Sequence, residues 1–267
     1  MNGEAGPTME ATAAAYEDRL VPALFAPLAR LTANATSLSA GQAVLDVACG
    51  TGALTRQVLS RVGPTGKPTG LDANPAMISV ARKVSSEIEW HEGQAEDLPF
   101  EDATFDAVVC QFGLNFFSDQ QAALKEMSRV LAPDGHMVIS VFDNLDVNRP
   151  YAETASIFER VVGSDIGQAL RFPFGLGELS DFSAIIDSSD IGRPALTSEK
   201  GTARFPSVRA MVEADVFGWF PFAGFKLDKQ ALETVIDEAT SALEPYVAPS
   251  GAVEFAAGIH IASLRKT

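Results

Sequence analysis

The chain is poor in cysteine, with only Cys49 and Cys110 among its 267 residues. Two cysteines supply neither a disulfide framework nor the ligand spacing of a structural metal site. Each lies within, or directly after, a segment that is predicted to be a buried strand. We therefore expect both thiols to be reduced, the protein to be cytoplasmic, and no metal to be required.

Basic residues are also scarce. The chain has 20 Lys and Arg against 35 Asp and Glu, which gives a formal net charge of −15. Proteins that bind nucleic acid depend on clustered Lys and Arg to neutralise phosphates, and anionic membrane surfaces attract the same residues. The charge therefore argues against both partners and leaves a small-molecule substrate as the expected ligand.

Long apolar runs are missing as well. No segment approaches the roughly 18 consecutive apolar residues of a membrane span. Residues 1–11 have neither the basic region nor the apolar core of a signal peptide. Apolar residues nevertheless make up 46% of the chain, enough to bury the core of one large domain. The sequence leaves the oligomeric state open.

Helical and strand-like segments alternate through the first half of the chain. Asn74 and Pro75 form a typical helix start, and Gly63 with Pro64 ends the preceding helix. Such alternation predicts a parallel sheet with helices on both faces. The predicted strands are 41–48, 67–73, 88–93, 104–113 and 136–143, and the predicted helices between them are 53–62, 75–86 and 119–131.

This alternation stops after residue 143, and mostly helical segments follow. Near the N-terminus, residues 9–31 have a helical pattern that Pro22 and Pro27 interrupt, so we expect two or three short helices there. The later predicted helices are 151–162, 180–188, 207–217 and 228–244, and the later strands are 195–205 and 253–265.

The segment VLDVACGTGALT, residues 44–55, places a carboxylate at the end of a buried strand and follows it with Gly50 and Gly52. Ligands of open parallel sheets bind beyond the carboxyl ends of the strands. Glycines there allow a sharp turn and a close approach of the ligand to the backbone. Taken alone, this segment is equally consistent with an ordinary strand-to-helix turn.

A second acid favours a ligand site. Asp72 ends the second predicted strand, twenty positions after Gly52, where a carboxylate can bind both hydroxyls of a ribose. The chain has no G-x-G-x-x-G fingerprint, which disfavours a nicotinamide-dependent oxidoreductase. Because Asp46 would repel a pyrophosphate, we expect a ribose-containing ligand without phosphate at this loop, such as an amino-acid nucleoside with its ammonium group nearby.

Five segments in order resemble the successive motifs of class I S-adenosylmethionine-dependent methyltransferases, and most closely those of the ubiquinone and menaquinone biosynthesis C-methyltransferases. They are VLDVACGTG, GLDANPAMI, GQAEDLPF, FDAVVCQFGLNFF and EMSRVLAPDGHMVIS, within residues 40–143. The resemblance implies an α/β fold: a Rossmann-like, mostly parallel seven-stranded sheet with helices on both faces and a helical cap insertion. It also implies S-adenosyl-L-methionine as cofactor and S-adenosyl-L-homocysteine as product.

The resemblance further implies a division of the chain. Residues 1–39 would form helices that close over the cofactor, and residues 40–143 the cofactor-binding core. Residues 144–250 would form the helical cap and substrate region, with an additional strand near 195–205, and residues 251–267 the last strand. We therefore expect the acceptor specificity to reside in the cap.

Cofactor contacts follow from the same resemblance. Gln94 stands where many relatives carry an acid, but its amide oxygen can still accept a hydrogen bond from an adenine amino group. The residues implied to bind the cofactor are Asp46, Gly50, Thr51, Gly52, Asp72, Ala73, Met77, Gln94, Ala95, Glu96 and Gln111.

Transfer of a methyl group from a sulfonium is a displacement that needs alignment more than acid–base chemistry. The histidines at 91, 136 and 260 lie in predicted strands without a carboxylate partner in sequence, so a structural role is the better interpretation of each. Tyr16, in the N-terminal helices, and Asn115, after the fourth strand, are candidate catalytic residues. Both could equally have structural roles.

Candidate acceptor-binding residues are Asn115, Phe116, Trp219 and Phe222. The last two belong to VFGWFPFAGF, residues 216–225, which is either packing within the cap or a lid over an apolar, aromatic substrate. The sequence therefore predicts methyl transfer to a small, apolar or aromatic molecule. The alternative is a protein of this fold that uses the cofactor for a non-methylating reaction.

Overall fold

The computed structural model describes residues 8–189 and 191–266. The prediction that the first eleven residues form no signal peptide concerns in part residues 1–7, which lie outside that range.

A seven-stranded sheet forms the centre of the described chain, in the order β3-β2-β1-β4-β5-β7-β6. Strands β1 to β5 run parallel, and β7 pairs antiparallel with both β5 and β6. The predicted mostly parallel seven-stranded sheet is confirmed. The strands are β1 (Ala43–Val47), β2 (Lys67–Asp72), β3 (Glu89–Glu92), β4 (Phe105–Gln111), β5 (Leu131–Phe142), β6 (Ala195–Phe205) and β7 (Val253–Arg265).

Helices cover both faces of this sheet. The predicted helix starts are confirmed at Asn74, whose side chain accepts from the backbone N–H of Ala76, and at Asp119, which does the same for Ala122. The α-helices are α1 (Met9–Ala15), α2 (Ala26–Ala35), α3 (Ala53–Val62), α4 (Pro75–Val84), α5 (Gln120–Val130), α6 (Arg149–Val161), α7 (Ser164–Arg171), α8 (Leu179–Ser188), α9 (Val208–Gly218) and α10 (Lys229–Ala242).

The N-terminal helix does not break at its prolines, so the prediction of separate short helices is wrong. Between α1 and α2 the chain continues as a π-helix, Tyr16–Phe25, which contains Pro22. The backbone N–H of Ala26 donates to the carbonyl of Val21, five residues earlier. This wider helix accommodates the proline, whose missing N–H would otherwise interrupt an α-helix.

Helix α7 was not predicted from the sequence. Gly167 lies in its middle, and an isolated glycine weakens the expectation of a helix. In the fold, a Cβ at Gly167 would lie 2.7 Å from Cβ of Glu159 and 3.0 Å from the carbonyl oxygen of Ala155. The glycine is therefore required for the close packing of α7 on α6.

Two large apolar clusters form the core, one on each face of the sheet. One joins α2, α3, α6, α9 and α10 to the sheet, and the other joins α5 and α8 to the opposite face. Helix α9 also packs on the N-terminal π-helix, where a Cβ at Gly218 would lie 3.0 Å from the backbone of Tyr16. The N-terminal helix and the cap therefore meet above the carboxyl ends of the parallel strands.

Candidate functional site

A cavity of about 550 Å³ lies where the strand ends, the N-terminal helix and the cap meet. Its walls are mostly apolar and aromatic, which is typical of small-molecule sites. Of the residues predicted to bind cofactor or acceptor, the following line it: Tyr16, Gly50, Asp72, Ala73, Met77, Gln94, Ala95, Glu96, Gln111, Phe116, Trp219 and Phe222.

The loop after β1 is held by the carboxylate at the end of β2. One oxygen of Asp72 accepts from the backbone N–H of Gly50 at 2.8 Å, and the other accepts from that of Asn74 at 2.8 Å. Burial raises the pKa of Asp72, although these two hydrogen bonds oppose the increase. Each carboxylate oxygen has a further lone pair, so Asp72 can also accept from ligand hydroxyls.

Ala48 and Phe112 both line the cavity in a left-handed backbone conformation, with φ of 57° and 59°. Ala48 follows β1 and Phe112 follows β4, so two adjacent parallel strands end in the same unusual way. Such conformations are rare for non-glycine residues and concentrate at binding sites. They mark this edge of the sheet as the functional one.

Gly52 is not among the residues that line the cavity, and its contact with the cofactor stays a prediction. A Cβ at this residue would lie 2.3 Å from Cη2 of Trp90, in β3. With φ of 92°, Gly52 is needed for its backbone conformation and for the close approach of the indole ring.

Asp46 and Thr51 are also buried away from the cavity, at about 1% exposure each. The hydroxyl of Thr55 donates to Oδ2 of Asp46 at 2.6 Å, whereas Oδ1 has no partner in the described chain. Burial raises the pKa of Asp46 to about 7, despite that hydrogen bond, and the nearby charge of Asp72 adds to the increase. Asp46 therefore supports the loop from behind rather than facing the ligand.

The segment after β3 forms one end of the cavity with the start of α4. Ala73 and Gln94 are exposed there, while Met77 and Ala95 are buried in the wall. Glu96 fixes this end: its Oε1 accepts from the backbone N–H and hydroxyl of Ser118 at 2.7 and 2.8 Å. Partial burial acts to raise the pKa of Glu96, but these hydrogen bonds outweigh it and lower the pKa below its ordinary value.

Gln111 lies at the end of β4, in the middle of the cavity wall. Its Nε2 donates to the carbonyl of Phe25 at 3.1 Å. Its Oε1 is buried and has no hydrogen-bond partner within the described residues. An enclosed acceptor beside a cavity indicates a ligand that supplies a donor.

Tyr16 lines the cavity close to the loop that follows β1. Its ring stacks on Phe25 at a centroid distance of 4.9 Å, and its hydroxyl oxygen would lie 3.9 Å from a Cβ at Gly50. Burial raises the pKa of the Tyr16 phenol, and the charge of Asp72 adds to that effect. The phenol is therefore neutral at physiological pH and suited to hydrogen bonding rather than to acting as a base.

Next to Tyr16, the N-terminal helix is tied to the glycine loop by Arg56. Its guanidinium donates to the carbonyl of Thr51 at 2.8 Å and pairs with the carboxylate of Glu17 at 2.8 Å. Both side chains are largely buried, so the pair is better protected from solvent than a surface ion pair. It links the N-terminal helix directly to the loop that follows β1.

Asn115 is not among the residues that line the cavity, and its role in catalysis or acceptor binding stays a prediction. Its Nδ2 donates to the carbonyl oxygens of Phe172 and Pro173, both at 3.0 Å. The amide therefore holds the cap against the turn that follows β4. None of the three histidines lines the cavity within the described chain.

An aromatic compartment lies under the cap, formed by Phe25, Phe112, Phe142, Phe174 and Tyr151. Two of its rings, Phe112 and Phe142, are stacked at 3.8 Å and nearly parallel. The sequence analysis missed this compartment. Phe112 directly follows β4 and Phe142 ends β5, and both are the second-last residues of the predicted fourth and fifth strands, a position that could have identified them.

Phe116, 47% exposed, contacts the rings of Trp219 and Phe172 at the rim of the cavity. Phe222 instead packs with Met77 near the opposite end. Phe220 is fully buried against Phe158, so this part of the aromatic segment is core. The packing interpretation of residues 216–225 therefore describes Phe220, and a lid formed by Trp219 and Phe222 stays a prediction.

Among the described residues, no cluster of His, Cys, Asp and Glu has the arrangement of a metal site. No helix in that part of the chain has both the length and the apolar character needed to cross a membrane.

Residues 44–135 match the sequence model of a family described as methyltransferase domain. The chain is 40% identical over 119 residues to the ubiquinone/menaquinone biosynthesis C-methyltransferase UbiE of Hahella chejuensis, covering 42% of this chain and 48% of the relative. The UbiE protein of Escherichia coli O1:K1 is 37% identical over 133 residues, covering 48% and 51%. The chain thus spans about half the length of the curated relatives it matches.

Solved structures share the fold over nearly the whole chain. A proposed methyltransferase of an antibiotic biosynthesis pathway from Anabaena variabilis has a TM-score of 0.65 at 16% identity, covering 89% of this chain and 96% of that one. The YcgJ protein of Bacillus subtilis has a TM-score of 0.54 at 20% identity, covering 88% and 96%.

The fold is that of the Rossmann-like class I methyltransferases. Within it, residues 44–135 match the methyltransferase domain model, and part of the chain is similar in sequence to the ubiquinone and menaquinone biosynthesis C-methyltransferases. The predicted resemblance is confirmed, and S-adenosyl-L-methionine is the cofactor of this class.

Proposed function

We propose that the protein transfers a methyl group from S-adenosyl-L-methionine to a small, apolar or aromatic molecule. One observation carries the proposal: a single cavity extends from the carboxyl ends of β1 and β2 to the aromatic compartment under the cap. A donor at the strand ends and an acceptor among the aromatic rings would therefore share one enclosed space, as methyl transfer requires.

The residues at the strand ends fit the cofactor. Asp72 presents fixed carboxylate oxygens for ribose hydroxyls, and Met77 and Ala95 provide an apolar wall for an adenine ring. Gln111 offers a buried acceptor for the ammonium group of the methionine part. The carboxyl group of Asp72, which lines the cavity, also favours a ligand with positive charge. When bound, the cofactor would supply an activated methyl group.

The protein itself would supply position and a water-poor environment. Asp72 would fix the ribose of the cofactor and Gln111 its methionine part. Tyr16 and the N-terminal helix would close over both. The Glu17–Arg56 pair couples that helix to the glycine loop, so closing the helix and ordering the loop would occur together. Enclosure of the reacting groups is a large part of what such a reaction needs.

The acceptor compartment supports a small, apolar substrate. Its walls are aromatic, and the cavity lining contains no Lys, Arg or His among the described residues. An acidic acceptor would find no positive partner there. The relatives' name refers to quinone biosynthesis, but the matched domain ends at residue 135, before the cap that borders the acceptor. We therefore propose the apolar character of the acceptor and not a quinone in particular.

Isotope-labelled S-adenosyl-L-methionine tests the proposal with a library of apolar aromatic acceptors. The expected result is a product that carries the labelled methyl group, formed in equal amount with S-adenosyl-L-homocysteine. A conversion of acceptors without formation of S-adenosyl-L-homocysteine would instead support the alternative, in which the cofactor assists a non-methylating reaction. Binding of cofactor with no conversion of any acceptor would contradict the proposed activity.

A further inference from the structure

A buried acid in the cap borders the aromatic compartment. Asp215 lies in α9, is 3% exposed and lines the cavity. Its Oδ2 is enclosed and receives no hydrogen bond from any group in the described chain. Burial raises the pKa of this carboxyl well above its ordinary value. An unpartnered buried carboxyl is costly, so a protein that retains one in a binding cavity has a use for it.

Tyr151, in the first turn of α6, has the same properties. It is 3% exposed, lines the same cavity, and its hydroxyl has no hydrogen-bond partner in the part of the chain that the structure describes. Burial raises the pKa of Tyr151, and the charge of Asp215 raises it further. Tyr151 and Asp215 therefore both lie in the wall of one cavity, and each has a side-chain oxygen without a partner in the described chain.

The surroundings of the pair are aromatic. The ring of Tyr151 lies 5.3 Å from that of Phe174, which in turn lies 4.8 Å from that of Phe142. The two unpartnered oxygens are therefore polar points in an otherwise apolar compartment. A few fixed polar groups in an apolar pocket typically orient the ligand.

We propose that Asp215 and Tyr151 bind a hydroxyl group on an otherwise apolar, ring-shaped methyl acceptor. This inference rests on the proposed function. A hydroxyl is both a donor and an acceptor, so it can donate to an oxygen of the Asp215 carboxyl and accept from the Tyr151 phenol. A protonated amine has three donors and no acceptor, so it cannot accept the hydrogen bond that the Tyr151 hydroxyl can donate. Asp215 and Tyr151 thus select hydroxylated acceptors.

Matched aromatic probes test the selection by calorimetry on the full chain saturated with S-adenosyl-L-homocysteine. The probes are phenol with anisole, 2-naphthol with 2-methoxynaphthalene, and 2-naphthylmethylamine, whose amine is protonated at neutral pH. In at least one pair the hydroxyl compound is expected to bind ten-fold or more tightly than its methyl ether. It is also expected to bind more tightly than the amine.

Variants assign this preference to the two residues. Asp215→Leu should bring the hydroxyl compound and its ether to similar affinity, whereas Asp215→Asn, which keeps an acceptor oxygen, should retain part of the preference. Tyr151→Phe should weaken binding of the hydroxyl compound without changing that of the ether. Asp237→Leu is the matched control, because this acid is exposed on the cap helix α10, and it should change nothing.

The outcomes separate this inference from the proposed function. Failure of S-adenosyl-L-homocysteine to bind the wild type would contradict the proposed function itself. If it binds, equal affinity within both pairs, no binding of any probe, or tighter binding of the amine would overturn the inference. Persistence of the preference in Asp215→Leu would also overturn it. If Asp215→Leu does not fold, the other two variants decide. The inference would be overturned if Tyr151→Phe and Asp215→Asn both kept the full wild-type preference for the hydroxyl compound over its ether.

Discussion

The carboxylate of Asp72 and the backbone N–H of Gly50 form a hydrogen bond of 2.8 Å across the ends of two adjacent parallel strands. This bond explains why β2 ends in an acid: the carboxylate accepts from the loop that follows β1 and contains Gly50 and Gly52. Asp72 holds the loop in place and still presents its carboxylate to the cavity. The residue therefore links the local structure of the loop to the proposed binding of the cofactor.

Replacement of Asp72 by Ala should weaken both binding and folding. The expected loss of affinity for S-adenosyl-L-homocysteine is about 1.5–3 kcal/mol, the range for a lost hydrogen bond to a charged group. Stability should also fall by about 1–3 kcal/mol, because two backbone N–H groups lose their acceptor. Calorimetry and urea denaturation measure the two effects. Asp97→Ala, an exposed acid nearby, is the control, and equal affinities of both variants would contradict the ribose assignment.

Substitution of Gly52 by Ala should lower stability more than the same substitution at a glycine with open space around it. Ala at Gly52 combines a strained φ of 92° with a clash against Trp90, whereas Ala at Gly63 has a φ of 67° and no neighbour within 4 Å. Gly63→Ala should therefore cost only the conformational strain of its backbone, with φ of 67° and ψ of −170°, about 1–3 kcal/mol. Gly52→Ala should cost clearly more in urea denaturation. Equal costs would show that the indole contact is not the reason for this glycine.

Asp46 should make stability depend on pH. Its pKa is about 7 in the folded protein against a reference value of 3.8, so the folded state binds the extra proton between these values. The free energy of unfolding should therefore fall as the pH rises from about 4 to 7, by about 1.4 kcal/mol per pH unit for one proton. Asp46→Asn should remove that one-proton contribution from the slope, as measured by urea denaturation across this range.

A second variant checks the cause of this slope. The hydroxyl of Thr55 donates to Asp46 at 2.6 Å, and this hydrogen bond lowers the pKa of Asp46. Thr55→Val removes the hydroxyl and should therefore raise that pKa further. The range over which stability falls should then extend to higher pH. Parallel profiles for the wild type and Asp46→Asn would contradict the assignment of the slope to Asp46.

Removal of the unpartnered carboxyl of Asp215 should stabilise the fold. Leu has a similar size, and its side chain needs no hydrogen bond in the aromatic compartment. We expect Asp215→Leu to raise the free energy of unfolding at pH 7 by about 1–3 kcal/mol, the cost of a buried unsatisfied group. A lower stability than that of the wild type would show that the carboxyl has a structural partner.

Variants of Trp219 and Phe222 should have different effects, because the two side chains lie near opposite ends of the cavity. Phe222 packs with Met77, so Phe222→Ala should weaken binding of S-adenosyl-L-homocysteine. Trp219 contacts Phe116 at the rim, so Trp219→Ala should leave that affinity nearly unchanged and reduce methyl transfer to the acceptor. Calorimetry measures the first effect, and product formation the second. Equal loss of cofactor affinity in both variants would contradict this division.

Local signals in the sequence predicted much of the fold. Asn74 and Pro75 start a helix as predicted, and Gly63 ends one, because caps and helix breakers act within a few residues. The π-helix around Pro22 was not predictable in this way, since tertiary packing decides whether a proline is accommodated.

Residues of the candidate site that belong to the sequence motifs could be predicted, whereas those outside the motifs could not. Asp72 and Gln111 follow from the order of the strands, and both line the cavity. The contact between Gly52 and Trp90 joins distant parts of the chain and leaves no local signal. Asp215 is a single acid within an ordinary helical pattern, so its burial becomes visible only once α9 is placed over the strand ends.

Calorimetric titration of the wild type with S-adenosyl-L-methionine and, separately, with a nicotinamide dinucleotide tests the central claim most directly. The account predicts one bound S-adenosyl-L-methionine per chain at micromolar affinity, competition by S-adenosyl-L-homocysteine, and no binding of the dinucleotide. Absence of both heat and thermal stabilisation with S-adenosyl-L-methionine, or binding of the dinucleotide in its place, would contradict it.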